Sequence, residues 1–103
     1  MPRVELIMTT NRLTIVGPAS DLNEFDAACT WPDEVEHPEL LERSPGRHVW
    51  QFESEGPPLP WLRRISREWS SLTFLLDHED EELRIKGLAK FKAGKVRSHR
   101  IQY

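Results

Sequence analysis

Leu83-Arg84-Ile85-Lys86-Gly87-Leu88-Ala89-Lys90-Phe91-Lys92 carries the clearest periodicity in the chain. Leu83, Ile85, Gly87, Ala89 and Phe91 alternate with Arg84, Lys86, Leu88, Lys90 and Lys92. A period of two puts one set against a core and the other, mostly cations, in water, so the stretch reads as a half-exposed antiparallel strand. Ala93-Gly94 then turns the chain into a last strand, Lys95 to about Ile101. On the other side, Asp77-His78-Glu79-Asp80 reads as a turn. Leu72-Thr73-Phe74-Leu75-Leu76 before it is a near-continuous apolar run, as in a central strand.

Moving toward the N-terminus, Pro60 suits the start of a helix running to about Ser70. Trp61, Leu62, Ile65 and Trp69 form its apolar stripe, with Arg63, Arg64 and Arg67 opposite. Glu55-Gly56-Pro57-Pro58 separates it from a strand over Arg47 to Glu53, where Trp50 and Phe52 share a face. Residues 31–46 hold Pro32, Pro38, Pro45 and Gly46 among Asp33, Glu34, Glu36, Glu39 and Glu42, and read as an irregular acidic loop. A first helix is expected from a cap at Ser20 or Asp21 to about Thr30, with Leu22, Phe25 and Cys29 inward. Asn11-Arg12-Leu13-Thr14-Ile15-Val16 alternates as a strand that Gly17-Pro18 ends. Val4 to Met8 either extends this strand or forms an arm before it.

The expected order is strand, helix, strand, helix, strand, strand, strand. Strands joined by helices are expected to be parallel and strands joined by tight turns antiparallel. That predicts an α+β two-layer sandwich: a mixed, mostly antiparallel sheet with both helices on one face. The other face, carrying Arg84, Lys86, Lys90 and Lys92, is left to water or a partner.

With 103 residues the chain is expected to form a single domain, 1–103. No apolar run reaches the ~18 residues of a membrane span, and the start does not resemble a secretory signal, so the cytoplasm is the expected compartment. One cysteine, Cys29, leaves no internal disulfide. The net charge of −3 conceals a division. Residues 1–82 hold all seventeen acidic side chains against seven cations, a net of −10. Residues 83–103 hold seven cations and no acid, a net of +7. Such asymmetry concerns surface fields and partners rather than fold.

Four stretches together resemble a known family. They are Asn11 to Pro18; Trp50-Gln51-Phe52-Glu53; Pro57-Pro58 with Trp61; and Leu72-Thr73-Phe74 ahead of a charged hairpin with Gly87 and Gly94. The arrangement resembles the YubB-type ferredoxin-like domain of small proteins from plasmids, phages and other bacterial mobile elements. Arg3-Val4-Glu5 stands where members often carry a Pro-Asn-Trp-Cys-like stretch. The resemblance implies a ferredoxin-like sandwich and a mobile-element setting, and it brings no catalytic residues.

The residues themselves point to binding rather than catalysis. Asp77, His78, Glu79, Asp80, Glu81 and Glu82 have metal-ligand chemistry, but consecutive residues at a turn splay apart, so a metal-assisted hydrolase using Asp77, His78 and Asp80 is the least favoured reading. His37, His48, His78 and His99 lie in separate elements, and Cys29 sits on a buried stripe. There is no phosphate loop and no nucleophile elbow. No cofactor, metal or catalytic residue is expected. Arg84, Lys86, Lys90, Lys92, Lys95, Arg97 and Arg100 on two adjacent strands are the expected contact residues. Trp31 is the other candidate, as an exposed contact or as a lid folded over the helix end. The expected function is a small non-enzymatic domain that binds another protein. Nucleic-acid binding through the basic strands is the alternative, although those strands lack base-stacking aromatics. A homodimer held by opposed charges is a further expectation.

Overall fold

The computed structural model describes residues 8–103; Val4 to Ile7, the uncertain start of the first strand, lie outside them. The elements are β1 Thr9–Val16, α1 Ala19–Ala28, β2 Glu36–Ser44, β3 Arg47–Ser54, α2 Leu59–Glu68, β4 Thr73–Asp80, β5 Ile85–Lys92 and β6 Lys95–Gln102. The protein is α+β, with one six-stranded sheet in the order β2-β3-β1-β4-β5-β6. Every neighbouring pair is antiparallel.

The mixed sheet expected from the sequence is corrected by one strand. Residues 31–46 are not irregular throughout: Glu36–Ser44 pairs with β3. Strands joined by a helix do run parallel, but they are not neighbours. β3 lies between β1 and β2, and β1 lies between β3 and β4. Two β-α-β units are thus interleaved, and each inserted strand makes its contacts antiparallel.

Asp77-His78-Glu79-Asp80 is also corrected, because these residues are the second half of β4 rather than a turn. The turn is Glu81 to Arg84, where the Asp80 carboxylate accepts a hydrogen bond from the Leu83 N–H at 2.9 Å. Leu83 is therefore exposed in the turn instead of buried at the head of β5. α1 needs no side-chain cap from Ser20 or Asp21. Leu22 N–H donates to the Pro18 carbonyl at 3.0 Å, which starts the helix earlier and leaves Asp21 in the first turn, where an acid suits the helix dipole. Cys29 follows the last turn rather than lying on its stripe.

The registers sort every strand residue onto one of two faces. Phe52, Leu13 with Ile15, Phe74 with Leu76, and Ala89 with Phe91 share the phase that faces the helices, and all are buried. Leu22 and Phe25 of α1 and Trp61, Leu62 and Ile65 of α2 complete the same core, so both helices cover one face. Phe25 sits 5.5 Å edge-on from both Phe74 and Trp69, an arrangement that suits the ring quadrupoles. α2 is anchored to the β5–β6 turn: the Gly94 N–H donates to the Ser66 hydroxyl at 3.0 Å, and Arg63 donates to the Gly94 carbonyl at 3.3 Å. That turn has only Ala93 and Gly94 between paired residues, both at positive φ. Such a turn twists the way the strands do.

Candidate functional surface

The face without helices is built from the opposite phase. β1 contributes Arg12 and Thr14, β4 contributes Leu75, Asp77 and Glu79, β5 contributes Lys86, Leu88, Lys90 and Lys92, and β6 contributes Lys95, Arg97, His99 and Ile101. A groove of about 500 Å³ crosses it. Leu75 and Leu88 give the groove an aliphatic floor, with Arg12 and Asp77 on one side and Lys90 and Arg97 on the other. Leu75 is 39% exposed, Leu88 60% and Ile101 52%. Aliphatic side chains left this open in the middle of a sheet, ringed by charge, have the composition of a contact surface.

The sequence-predicted cations do not all behave alike. Lys86, Lys90, Lys92, Lys95 and Arg97 share this face. Lys86 lies 3.9 Å from Glu79, and the Lys92 ammonium donates to the Ser70 carbonyl at 2.7 Å. Lys90, Lys95 and Arg97 have no carboxylate within ion-pair range among the described residues, so their charge faces water. Arg84 belongs to the turn, its guanidinium 5.6 Å from the centre of the Tyr103 ring. Arg100 falls in the other phase, opposite Gly87 on the helix side.

Trp31 is half-buried and packs against the core. Its ring lies 5.1 Å from Trp50, 5.4 Å from Phe52 and 5.3 Å from Trp61, which makes it part of an aromatic cluster beyond the end of α1. The cluster joins β3 to the start of α2. Arg12, Leu75, Leu88 and Ile101 belong to the surface and sequence reasoning did not name them as site residues; Asp77 and His99 were weighed only as metal or catalytic candidates. Leu88 carried a signal, because it is apolar in a phase otherwise occupied by cations.

Two polar clusters lie on the helix side. Asp26 of α1 bridges the hairpin β2–β3, its carboxylate 2.9 Å from the Arg43 guanidinium and 3.2 Å from Nδ1 of the buried His48. The other is a row across the strands. The Asn11 amide donates to the Ser54 hydroxyl at 2.9 Å and to the Thr9 carbonyl at 3.2 Å. His78 lies opposite Asn11, and Gly87 opposite His78. A Cβ on Gly87 would collide with the His78 imidazole, so the ring occupies the space that glycine leaves. Burial lowers the His78 pKa from its ordinary value; Arg100 adds to this and Asp77 opposes it.

These groups offer little for catalysis. Asp77 and Glu79 project to the open face, whereas His78 and Asp80 project to the helix face, so the four do not converge. Among the described residues, no three His, Cys, Asp or Glu side chains come together as a metal site. Burial, with help from Asp26, pushes the Cys29 thiol up to about 11, which keeps it protonated and a poor nucleophile near neutral pH. No helix among the described residues is long and apolar enough to cross a membrane. In comparisons with known proteins, no family model, no curated protein and no solved structure matches the chain.

Proposed function

We propose that the chain is a non-enzymatic, cytoplasmic domain of ferredoxin-like type that binds another protein through the sheet face its helices leave open. The order β2-β3-β1-β4 with α1 and α2 on one side is the arrangement expected of that fold, and the β5–β6 hairpin extends it. The resemblance to the YubB-type family suggests a bacterial mobile element as the setting. One observation carries the binding reading: Leu75 and Leu88 are exposed together in a groove beside Lys90 and Arg97, and Leu88 continues into a second groove with Ile101. Aliphatic side chains fit the side chains of a protein partner and offer no stacking platform for bases.

A photo-reactive residue in place of Leu88 tests the reading. It should cross-link to a discrete protein band that excess unlabelled domain competes away, whereas the same residue in place of Glu55 should not. Absence of any competed band removes the proposal. Cross-linking to nucleic acid would replace it with the alternative in which Lys86, Lys90 and Lys92 neutralise phosphates. In that case converting the three to glutamine should flatten the salt dependence of oligonucleotide binding.

A further inference from the structure

Resting on the protein-binding reading, we infer that the partner contributes an acidic, extended segment that adds as a seventh strand along the outer edge of β6. An edge strand presents unpaired N–H and C=O groups, and proteins blunt it with a proline, a bulge, brevity or charged side chains. On β6 only the last applies, and the cations Lys95, Arg97 and Arg100 repel basic strands while admitting acidic ones. The two edges of this sheet differ in that respect. β2 contains Pro38 and two register shifts, and His37 within it has φ of 53°. β6 runs eight residues in unbroken register, without proline, glycine or acid, and every residue in it is exposed. It is long enough to template a strand of ordinary length.

The register identifies which backbone groups are free. The two-residue turn pairs Lys92 with Lys95, so Lys95, Arg97, His99 and Ile101 exchange their bonds with β5. The Tyr103 N–H continues this set by donating to the Arg84 carbonyl at 2.8 Å. Val96, Ser98, Arg100 and Gln102 therefore aim their N–H and C=O groups outward.

The chemistry on both flanks selects the occupant. On the open side, Lys95 and Arg97 border the added strand. On the helix side, a groove of about 610 Å³ runs between α2 and β6. Leu59, Phe91 and Val96 form its apolar part, and Arg63, Arg64 and Arg67 form its basic wall. A strand entering here meets cations whichever way its side chains point, with one apolar seat at Val96. Acidic residues with an interspersed aliphatic one complement that surface, and a basic strand is repelled. The β2 edge of a second copy is acidic, through Glu36, Glu39 and Glu42, but Pro38 and the shifted register spoil continuous pairing with it.

The test uses the full chain and a fluorescent Glu-Val repeat peptide of about ten residues, comparable to a long strand. A control peptide of equal charge carries prolines at alternate positions. The repeat peptide should bind at least about tenfold more tightly than the control, the worth of one or two backbone bonds. Amide exchange at Ser98 and Arg100 should slow on binding. Ser98→Pro removes an outward N–H without touching the β5 ladder and should weaken binding by about tenfold, while Ser98→Thr should not. Equal binding of both peptides, unchanged exchange at Ser98 and Arg100, or no binding at low salt overturns the inference. So does tighter binding of a single-stranded oligonucleotide, or a dimer in light scattering that the peptide does not dissociate. Leu88→Asp separates the two proposals. If it abolishes capture of the partner while Ser98→Pro does not, the open-face reading survives and the edge reading falls.

Discussion

The two faces of one sheet follow the same alternation and reach opposite ends. Phe74 and Leu75 are chain neighbours, yet Phe74 is wholly buried under Phe25 while Leu75 lines an open groove. Ala89 and Leu88 make the same contrast one strand over, and there the larger aliphatic residue is the one left in water. Composition alone would assign both leucines to a core. Their position relative to the helices decides the outcome: only the face that α1 and α2 cover takes its apolar side chains into the core. Phe74→Ala is the strongest way to probe this contrast. It removes a ring that two layers enclose and should cost about 3–5 kcal/mol, whereas Leu75→Ala should cost under about 1 kcal/mol. Denaturant titration followed by tryptophan fluorescence compares the two. Equal losses would mean that the open face has a covering.

Gly87→Ala examines the helix face where it is polar. The added Cβ would strike a His78 ring that is itself nearly buried and has little room to turn. The cost should be about 1–3 kcal/mol, as for other overpacked sites. Adding His78→Ala should recover part of it, because the two changes share one space and cannot be additive. Leu88→Ala next door should be nearly silent.

How much of this was legible in the sequence depends on how regular each strand is. β1, β3 and β5 are legible by alternation, β6 by the Ala93-Gly94 turn before it, and the two helices by their apolar stripes; their ends fall within a few residues of those expected. β2 was hidden. Glu36, His37, Pro38 and Glu39 look like loop, and two register shifts destroy the period of two that would reveal a strand. Losing that one strand also lost the interleaving, hence the expectation of a mixed sheet. The acids of β4 misled in another way. Asp77 and Glu79 read as turn residues because their face is wet, His78 because its burial depends on Asn11 and Gly87 of the neighbouring strands, and Asp80 because its carboxylate does hold the turn that follows. For the surface, the lysines and Leu88 are legible in the alternation of β5, while Leu75, inside an apolar run, is not. A leucine's exposure depends on which face the helices choose, and both helices must be placed before that is known.

The pH response of His78 sharpens the comparison with a smaller effect. Its pKa in the folded chain is lowered, chiefly by burial. The unfolded chain therefore binds the proton more readily, and stability contributed by the neutral ring is present above the ordinary histidine value of about 6.5. It is lost as pH falls through the lowered folded value. Stability should thus decline on acidification from about pH 6.5. His78→Gln should show a shallower decline than the parent over the same interval, which separates this residue from the other histidines and the carboxylates. Identical slopes would mean that the ring takes its proton as easily folded as unfolded.

The smallest expected change is also the most demanding test of the comparison. Leu75→Gln with Leu88→Gln replaces two neighbouring aliphatic side chains by polar ones of similar size. They lie diagonally on adjacent strands, so they shield each other slightly, and that mutual contact is worth a few tenths of a kcal/mol. Leu88 is 60% exposed and Leu75 39%, so a good part of their transfer free energy is already forgone. The double variant should therefore unfold within about 1 kcal/mol of the parent, with the same denaturant slope, because the surface exposed on unfolding barely changes. The aliphatic character of that face then contributes almost nothing to folding. A loss of several kcal/mol, or a changed slope, would instead place the two leucines under cover in solution, and the open face would have to be counted as part of the core.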